Sequence, residues 1–300
     1  MDKTSAGRPI RNGGPDLTAC WKNCTNMDLY DQQHIRDFYN RYGEQETRRW
    51  EKSIVEKVKL HVHRHYLDRH IRSEDRVLEL GAGTGIFTRL LAERVKALTV
   101  TDLSPVQLDL NRRETEEAGL GASVDSWAVR DICDLRAYPD ASFDRVVCYG
   151  GPLSYVFDQK QRALSEMRRV LRPGGKALLS VMNLWGTIRE SLEKIILPIS
   201  PEDNEKILAS GNLHPTAFAP SDHHCHMFRL AEFRADLETA GFTILELSAS
   251  NCLSTLRAQE LEALQKDTER WAYFLDLEIR ACASPGILES GTHLIAVVRV

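Results

Sequence analysis

Residues 79–85 read Glu-Leu-Gly-Ala-Gly-Thr-Gly, an acid followed by glycines at alternate positions, and Asp102 closes the next apolar run. Such a loop lets backbone N–H groups approach a ligand with no Cβ in the way, and it aims the N-terminus of the following helix at that ligand. Glu79, two residues before Gly81, can accept a hydrogen bond from a cationic amine, and the two oxygens of Asp102 can hold a ribose diol. Dinucleotide enzymes use G-x-G-x-x-G in the same place. Here the spacing is G-x-G-x-G, with Ile86 where that pattern wants its last glycine. A ligand with an ammonium and a ribose but no pyrophosphate therefore fits better than NAD. A second cluster with chemical potential is Asp222-His223-His224-Cys225-His226. Histidine titrates where a general base is useful. As a zinc site the run is poor: its ligands are nearly contiguous, whereas zinc draws spaced pairs from two elements, and His214 or Cys252 would have to complete it. No metal is expected.

These residues need elements to hold them. Residues 1–27 are rich in Gly, Pro, Asn and Thr without a period, which predicts a mobile tail. Over 28–72 the pattern is helical, with Ile35, Phe38 and Tyr42 on one face and Ile54, Val58 and Val62 on another, so one or two helices should precede the sheet. From residue 73 onward short apolar runs alternate with helical ones: strands are expected at 76–80, 97–102, 124–129, 143–149, 176–182, 242–247 and 293–300. Such alternation means a parallel sheet with right-handed crossovers and helices on both faces, an α/β fold. Residues 183–228 break the rhythm and read as an insertion over one sheet edge, and a single long helix is expected over 260–282. His61, His63, His65 and His70, scattered on a helix, are expected at the surface.

The segments LELGAGTG at 78–85, TDLSP at 101–105, RDICDL at 130–135, FDRVVCYG at 143–150 and LRPGGKALLS at 171–180 resemble class I S-adenosylmethionine (AdoMet)-dependent methyltransferases in content, order and spacing. The resemblance implies a Rossmann-like, doubly wound seven-stranded sheet of order 3-2-1-4-5-7-6, its last strand antiparallel, with N-terminal helices and an inserted lid. It implies AdoMet as cofactor and S-adenosylhomocysteine as product. By the same likeness Glu79, Gly81, Ala82, Gly83 and Gly85 would contact the methionine end and Asp102 the ribose. Leu103 would pack beside the adenine, Asp131 would hold its amino group, and Ile132 would stack nearby. Tyr149 and Gly150 would lie beside the transferable methyl. The Phe38-Tyr39-Asn40-Arg41-Tyr42 segment is similar to an aromatic N-terminal helix that closes over AdoMet in many such enzymes. Tyr39 or Tyr42 would then touch cofactor or acceptor, or both rings would simply pack a core.

Methyl transfer from a sulfonium is a direct displacement, so the protein mainly aligns an acceptor and excludes water. A base is required only if the acceptor has a proton to lose. Tyr42, His223, His224 and His226 are the candidates for that role. The net charge of −4 disfavours a nucleic-acid partner. After the fourth strand stands Gly150-Gly-Pro-Leu153, neither an Asn/Asp-Pro-Pro-aromatic motif nor an acidic residue, and no Pro-Cys dipeptide occurs. The stretch from Pro285 to Leu294, with the short N-terminal arm and the insertion, is similar to small-molecule methyltransferases of biosynthetic type. The expected activity is methylation of a small metabolite at N, O or S. An RNA or protein methyltransferase and a catalytically silent AdoMet-binding regulatory subunit are the alternatives. Seven scattered cysteines and an N-terminus without an apolar leader predict a reduced, cytoplasmic protein, monomer or homodimer, with no membrane partner.

Overall fold

The computed structural model describes residues 29–51, 53–193, 197–219 and 221–300. The expected tail over 1–27 lies outside the described residues. Among the described residues three helices, not one or two, precede the sheet: α1 (Gln32–Tyr42), α2 (Gln45–Glu51) and α3 (Ile54–His70). Local chemistry sets these bounds. The Asp31 carboxylate accepts the His34 N–H at the start of α1, and the Ser53 hydroxyl accepts that of Glu56 at the start of α3. The alternating part follows as β1 (Arg76–Leu80), α4 (Ile86–Ala92), β2 (Ala97–Asp102), α5 (Pro105–Glu117), β3 (Val124–Val129), β4 (Phe143–Cys148), α6 (Lys160–Val170) and β5 (Leu171–Met182). The insertion holds α7 (Leu184–Glu190), α8 (Pro201–Ser210), β6 (Asn212–Leu213) and β7 (Cys225–His226). The chain then completes the sheet with α9 (Leu230–Thr239), β8 (Thr243–Ala249), α10 (Ala258–Leu264), α11 (Thr268–Cys282) and β9 (His293–Arg299).

The sheet runs β3-β2-β1-β4-β5-β9-β8. With the β6–β7 pair left out of the count, this is the expected order 3-2-1-4-5-7-6. Strand β9 is antiparallel to both β5 and β8 and lies between them. Because side chains alternate along a strand, each strand feeds two cores. Leu78, Leu80, Val146, Cys148 and Leu179 face α6 and α9. Val77, Val100, Val147, Leu178, Ile295 and Val297 point the other way and face α3 and α4. Burial on both faces explains why the strands read as continuous apolar runs. The insertion has a small core of its own, built from Leu184, Ile199, Ile207, Leu213, Cys225 and Met227.

Three expectations about elements need correction. The long helix over 260–282 is two helices, because Asp267 turns its carboxylate onto the Arg270 N–H and starts α11 afresh. Arg172-Pro-Gly-Gly175 does not stand outside the fifth strand but bulges within β5, where pairing jumps from Leu171 opposite Phe143 to Lys176 opposite Arg145. Finally, His63 and His70 are not surface residues: they are buried, and His61 and His65 are half-buried. Helix α3 packs on the sheet with one side and on α10 with another, which leaves it little solvent face. His63 sits edge-on to Tyr149 at 4.8 Å, and His70 Nε2 is 2.7 Å from Glu246 Oε1.

Candidate active site

Strand order reverses between β1 and β4, and the crevice at their carboxyl ends is where ligands bind in open α/β sheets. The glycine loop crosses this crevice. The Ala82 N–H donates to the Thr101 carbonyl at 3.0 Å, and the Gly83 N–H donates to Asp102 Oδ2 at 2.8 Å. The other carboxylate oxygen of Asp102 accepts the Ser104 N–H at 2.8 Å. Burial pushes the Asp102 carboxyl up to about 6, and the Ser104 and Gly83 N–H groups oppose that rise. Gly81 stands at φ +63°, and a Cβ there would meet Pro152 Cγ at 2.3 Å, so the turn accepts no larger residue.

Glu79 lies beneath this loop rather than in the crevice. It is 2% exposed, and its carboxylate accepts the Thr88 hydroxyl at 2.6 Å. Asn111 ties the layers together, donating from Nδ2 to the Thr88 hydroxyl at 2.7 Å and to the Gly83 carbonyl at 3.2 Å. Burial raises the Glu79 carboxyl to about 8; the Thr88 hydrogen bond opposes the shift and the Asp102 charge adds to it.

Above the loop is a cavity of about 400 Å³, within the range of small-molecule sites. One end is lined by Leu103, Arg130, Asp131 and Ile132, the middle by Gly81, Ala82, Gly83 and Asp102, and the far end by Tyr149 and Gly150. Nine of the predicted cofactor residues are thus brought to one surface, and Glu79 and Gly85 are not on it. Gly150, at φ +83°, has no atom of the described residues within 4 Å of where a Cβ would stand, so a side chain there would enter the cavity. Among the described residues three carboxylates line it (Glu46, Asp102 and Asp131) against one guanidinium, Arg130. That donor set suits hydroxyls, amines and a cation and does not suit a pyrophosphate.

Helix α1 and the insertion roof the far end. Phe38 stacks on Tyr42 with ring centres 5.7 Å apart, and Tyr39 meets Tyr155 edge-on at 5.4 Å. Of the histidine run only His223 lines the cavity, with its Nε2 3.1 Å from the Tyr155 hydroxyl. His224 stacks on His34, centres 4.1 Å apart. His226 is buried between Asn212 Oδ1 at 2.6 Å and Glu232 Oε1 at 2.8 Å. Burial pushes Glu232 up, but the bonds from His226 and Lys160 outweigh it and hold that carboxyl at about 2. Among the described residues no group of three His, Cys, Asp or Glu side chains is arranged to hold a metal ion.

Sequence reasoning missed several lining residues, among them Tyr30, Glu46, Trp50, Tyr155 and His293. Tyr42, Glu46 and Trp50 recur every four residues, but α1 ends at Tyr42 and Gly43, at φ +50°, turns the chain before α2, so that spacing is not one helical face and gave no signal. Tyr30 donates its hydroxyl to Asp131 Oδ2 at 2.9 Å, and Trp50 donates to Glu46 Oε1 at 3.2 Å.

A seven-stranded sheet of this order, with a carboxylate-lined cavity over a glycine loop at its reversal point, is a doubly wound, Rossmann-like fold with its ligand crevice at the switch point. Residues 77–175 match the family described as a methyltransferase domain. The chain is 39% identical over 156 residues to a demethylmenaquinone methyltransferase of Deinococcus radiodurans, covering 49% of this chain and 60% of that protein. It is 32% identical over 108 residues to a malonyl-[acyl-carrier protein] O-methyltransferase of Serratia marcescens, covering 36% of this chain and 38% of that one. The matched stretches thus span about 40–60% of those relatives' own lengths. In fold the chain resembles a SAM-dependent methyltransferase from Thermotoga maritima, with a TM-score of 0.53 at 16% identity over 88% of this chain and 98% of that one. Residues 77–175 are thus similar to a methyltransferase domain, and the fold is one that S-adenosylmethionine-dependent methyltransferases share. No helix among the described residues is long and apolar enough to cross a membrane.

Proposed function

We propose that the protein transfers a methyl group from AdoMet to an N, O or S atom of a small metabolite. The observation that carries this reading is the aromatic cover over the cavity, in which Phe38, Tyr39 and Tyr42 of α1 meet Tyr155 from the turn after β4 and His223 of the insertion. The name of the Deinococcus relative, whose acceptor is demethylmenaquinone, supports a small-molecule acceptor. When bound, AdoMet supplies a methyl group made electrophilic by its sulfonium.

The chain's own residues do the rest. Asp102 holds the ribose hydroxyls, Asp131 the adenine amino group, and Leu103 and Ile132 flank the ring. Glu46, whose Cγ is 3.8 Å from the Cβ position of Gly83, takes the methionine ammonium. Glu79 acts from below, fixing the loop through Thr88 and Asn111. Tyr39 and Tyr42 exclude water and press the acceptor toward Gly150. An acceptor with a proton to lose passes it through the Tyr155 hydroxyl to His223, which face the cavity together. Tests of this function need AdoMet labelled in its methyl group and a fractionated cell extract. Label should appear in the small-molecule fraction. Label confined to RNA or protein would replace this reading with the macromolecular one, and no enzyme-dependent label would favour a silent binding subunit.

A further inference from the structure

Beside the adenine end lies a second, polar cavity of about 540 Å³ that shares Tyr30, Leu103, Arg130 and Asp131 with the first. Three arginines line it: Arg36 from α1, Arg130 from the turn after β3 and Arg162 from α6. Among the described residues none of these three forms an ion pair; Arg162 is exposed, but Arg36 and Arg130 are half-buried, and half-buried arginines elsewhere are paired, such as Arg89 with Glu114 and Arg169 with Glu166. Arg130 Nη1 donates to the Val129 carbonyl at 2.8 Å. The Nε of Arg36 is buried and has no hydrogen-bond partner among the described residues, whereas the Arg130 guanidinium also bonds the Tyr138 side chain. A buried N–H left unmade is costly, so it calls for an acceptor.

Asp131 and Asp134 line the cavity too, and both are already hydrogen-bonded within the protein. Asp131 accepts the Cys133 N–H and the Tyr30 hydroxyl, Asp134 holds Arg136, and Asp158 accepts the N–H groups of Leu29 and Tyr30. Gln32 and Gln159 line the same cavity. Guanidinium groups bind tetrahedral and planar oxyanions through paired N–H donors, and three of them around one space repel each other until an anion arrives.

The geometry points to an oxyanion site of the phosphate type, in which one anion bridges Arg36 on the N-terminal helices to Arg130 and Arg162 on the sheet domain. Such an anion pins α1, whose Tyr39 and Tyr42 roof the first cavity. It therefore strengthens AdoMet binding, a consequence that rests on the cofactor reading above. By linkage AdoMet strengthens anion binding by the same factor. The anion is free inorganic phosphate or the phosphoryl group of a metabolite, and both carry the same recognition chemistry.

The direct test is phosphorus NMR of the full chain titrated with inorganic phosphate, and in a parallel arm with phenyl phosphate, at constant ionic strength. Saturable line broadening is expected for the wild type and at least tenfold weaker binding for Arg162→Gln and for Arg36→Gln. Tighter binding of the ester would assign the site to a phosphorylated metabolite, and equal or tighter binding of inorganic phosphate to the free ion. Absence of saturable binding in both arms, or binding by both variants equal to that of the wild type, would overturn the proposal. Calorimetry then compares AdoMet affinity with and without phosphate: a several-fold gain that Arg162→Gln abolishes is expected, and no gain removes the coupling. The NMR arm does not depend on AdoMet, so failure of the cofactor reading would show separately.

Discussion

Gly83 donates its backbone N–H to Asp102 Oδ2 across 2.8 Å, so the acid at the end of β2 holds the loop at the end of β1. The same carboxylate caps the turn into α5 through Ser104. Ligand recognition and loop shape are therefore coupled at one side chain, and a substitution there disturbs both.

Replacing Asp102 with alanine removes the two ribose contacts assigned to it, each worth about 1.5–3 kcal/mol as a charge-assisted bond. AdoMet affinity should fall at least about a hundredfold in a calorimetric titration. Unchanged affinity would show that the ribose lies elsewhere.

Two glycines separate stability from binding. Gly81→Ala brings a Cβ to 2.3 Å from Pro152 and strains a left-handed backbone, so urea unfolding should report a loss of about 2–5 kcal/mol. Gly150→Ala meets no atom of the described residues within 4 Å and should lose only about 1–2 kcal/mol, from backbone strain alone. Its methyl group projects into the cavity, so its larger effect should be on cofactor affinity. Equal binding by Gly150→Ala and wild type would contradict the placement of the ligand.

The pH dependence of folding should carry the mark of Glu79. Its carboxyl rises from 4.5 to about 8 on folding, so its contribution is complete below pH 4.5 and is lost as pH rises toward 8. Glu79→Gln removes that proton linkage. Between pH 5 and 7 the stability of the wild type should decline relative to the variant by up to about 1.4 kcal/mol per pH unit, measured by denaturant unfolding of the ligand-free protein. Parallel curves would mean that Glu79 is ionised in the folded protein.

Within the histidine run His223 and His226 should behave differently. His223→Ala is expected to cut turnover about 10²–10⁴-fold on a proton-bearing acceptor while stability changes by less than about 1 kcal/mol. His226→Ala empties a buried position and takes a partner from Asn212 and Glu232, so it should destabilise by about 2–4 kcal/mol. Turnover and unfolding midpoints of the two variants check this, and a stable, inactive His226→Ala would reverse the assignment.

Strands β1 and β2 are legible in the sequence because burial on both faces leaves largely apolar runs, and glycines and Pro105 mark the turns after them, whereas β3, at the sheet edge, keeps Asp125 and Ser126 exposed. Positions 81–83 and 102 follow from that frame, and 103 and 131–132 from the family resemblance. Glu46 and Trp50 do not, because they reach the cavity through the packing of α2 on α3 rather than through any local motif. The histidines of α3 depart from expectation for a related reason: a helix covered on two sides keeps polar residues inside, and His63 and His70 are accommodated by the Lys59 carbonyl and by Glu246. Equally, adjacency in sequence does not give His223, His224 and His226 shared surroundings, since His223 and His224 stand before β7 and only His226 is held in it, opposite Asn212.

Whether the cavity over the glycine loop is an AdoMet site is addressed most directly by one calorimetric experiment: titration of the purified protein with AdoMet, S-adenosylhomocysteine and NAD side by side. Micromolar binding of both sulfur nucleotides with no binding of NAD is the predicted result. Binding of NAD alone would contradict the account and withdraw every role assigned to the cavity residues.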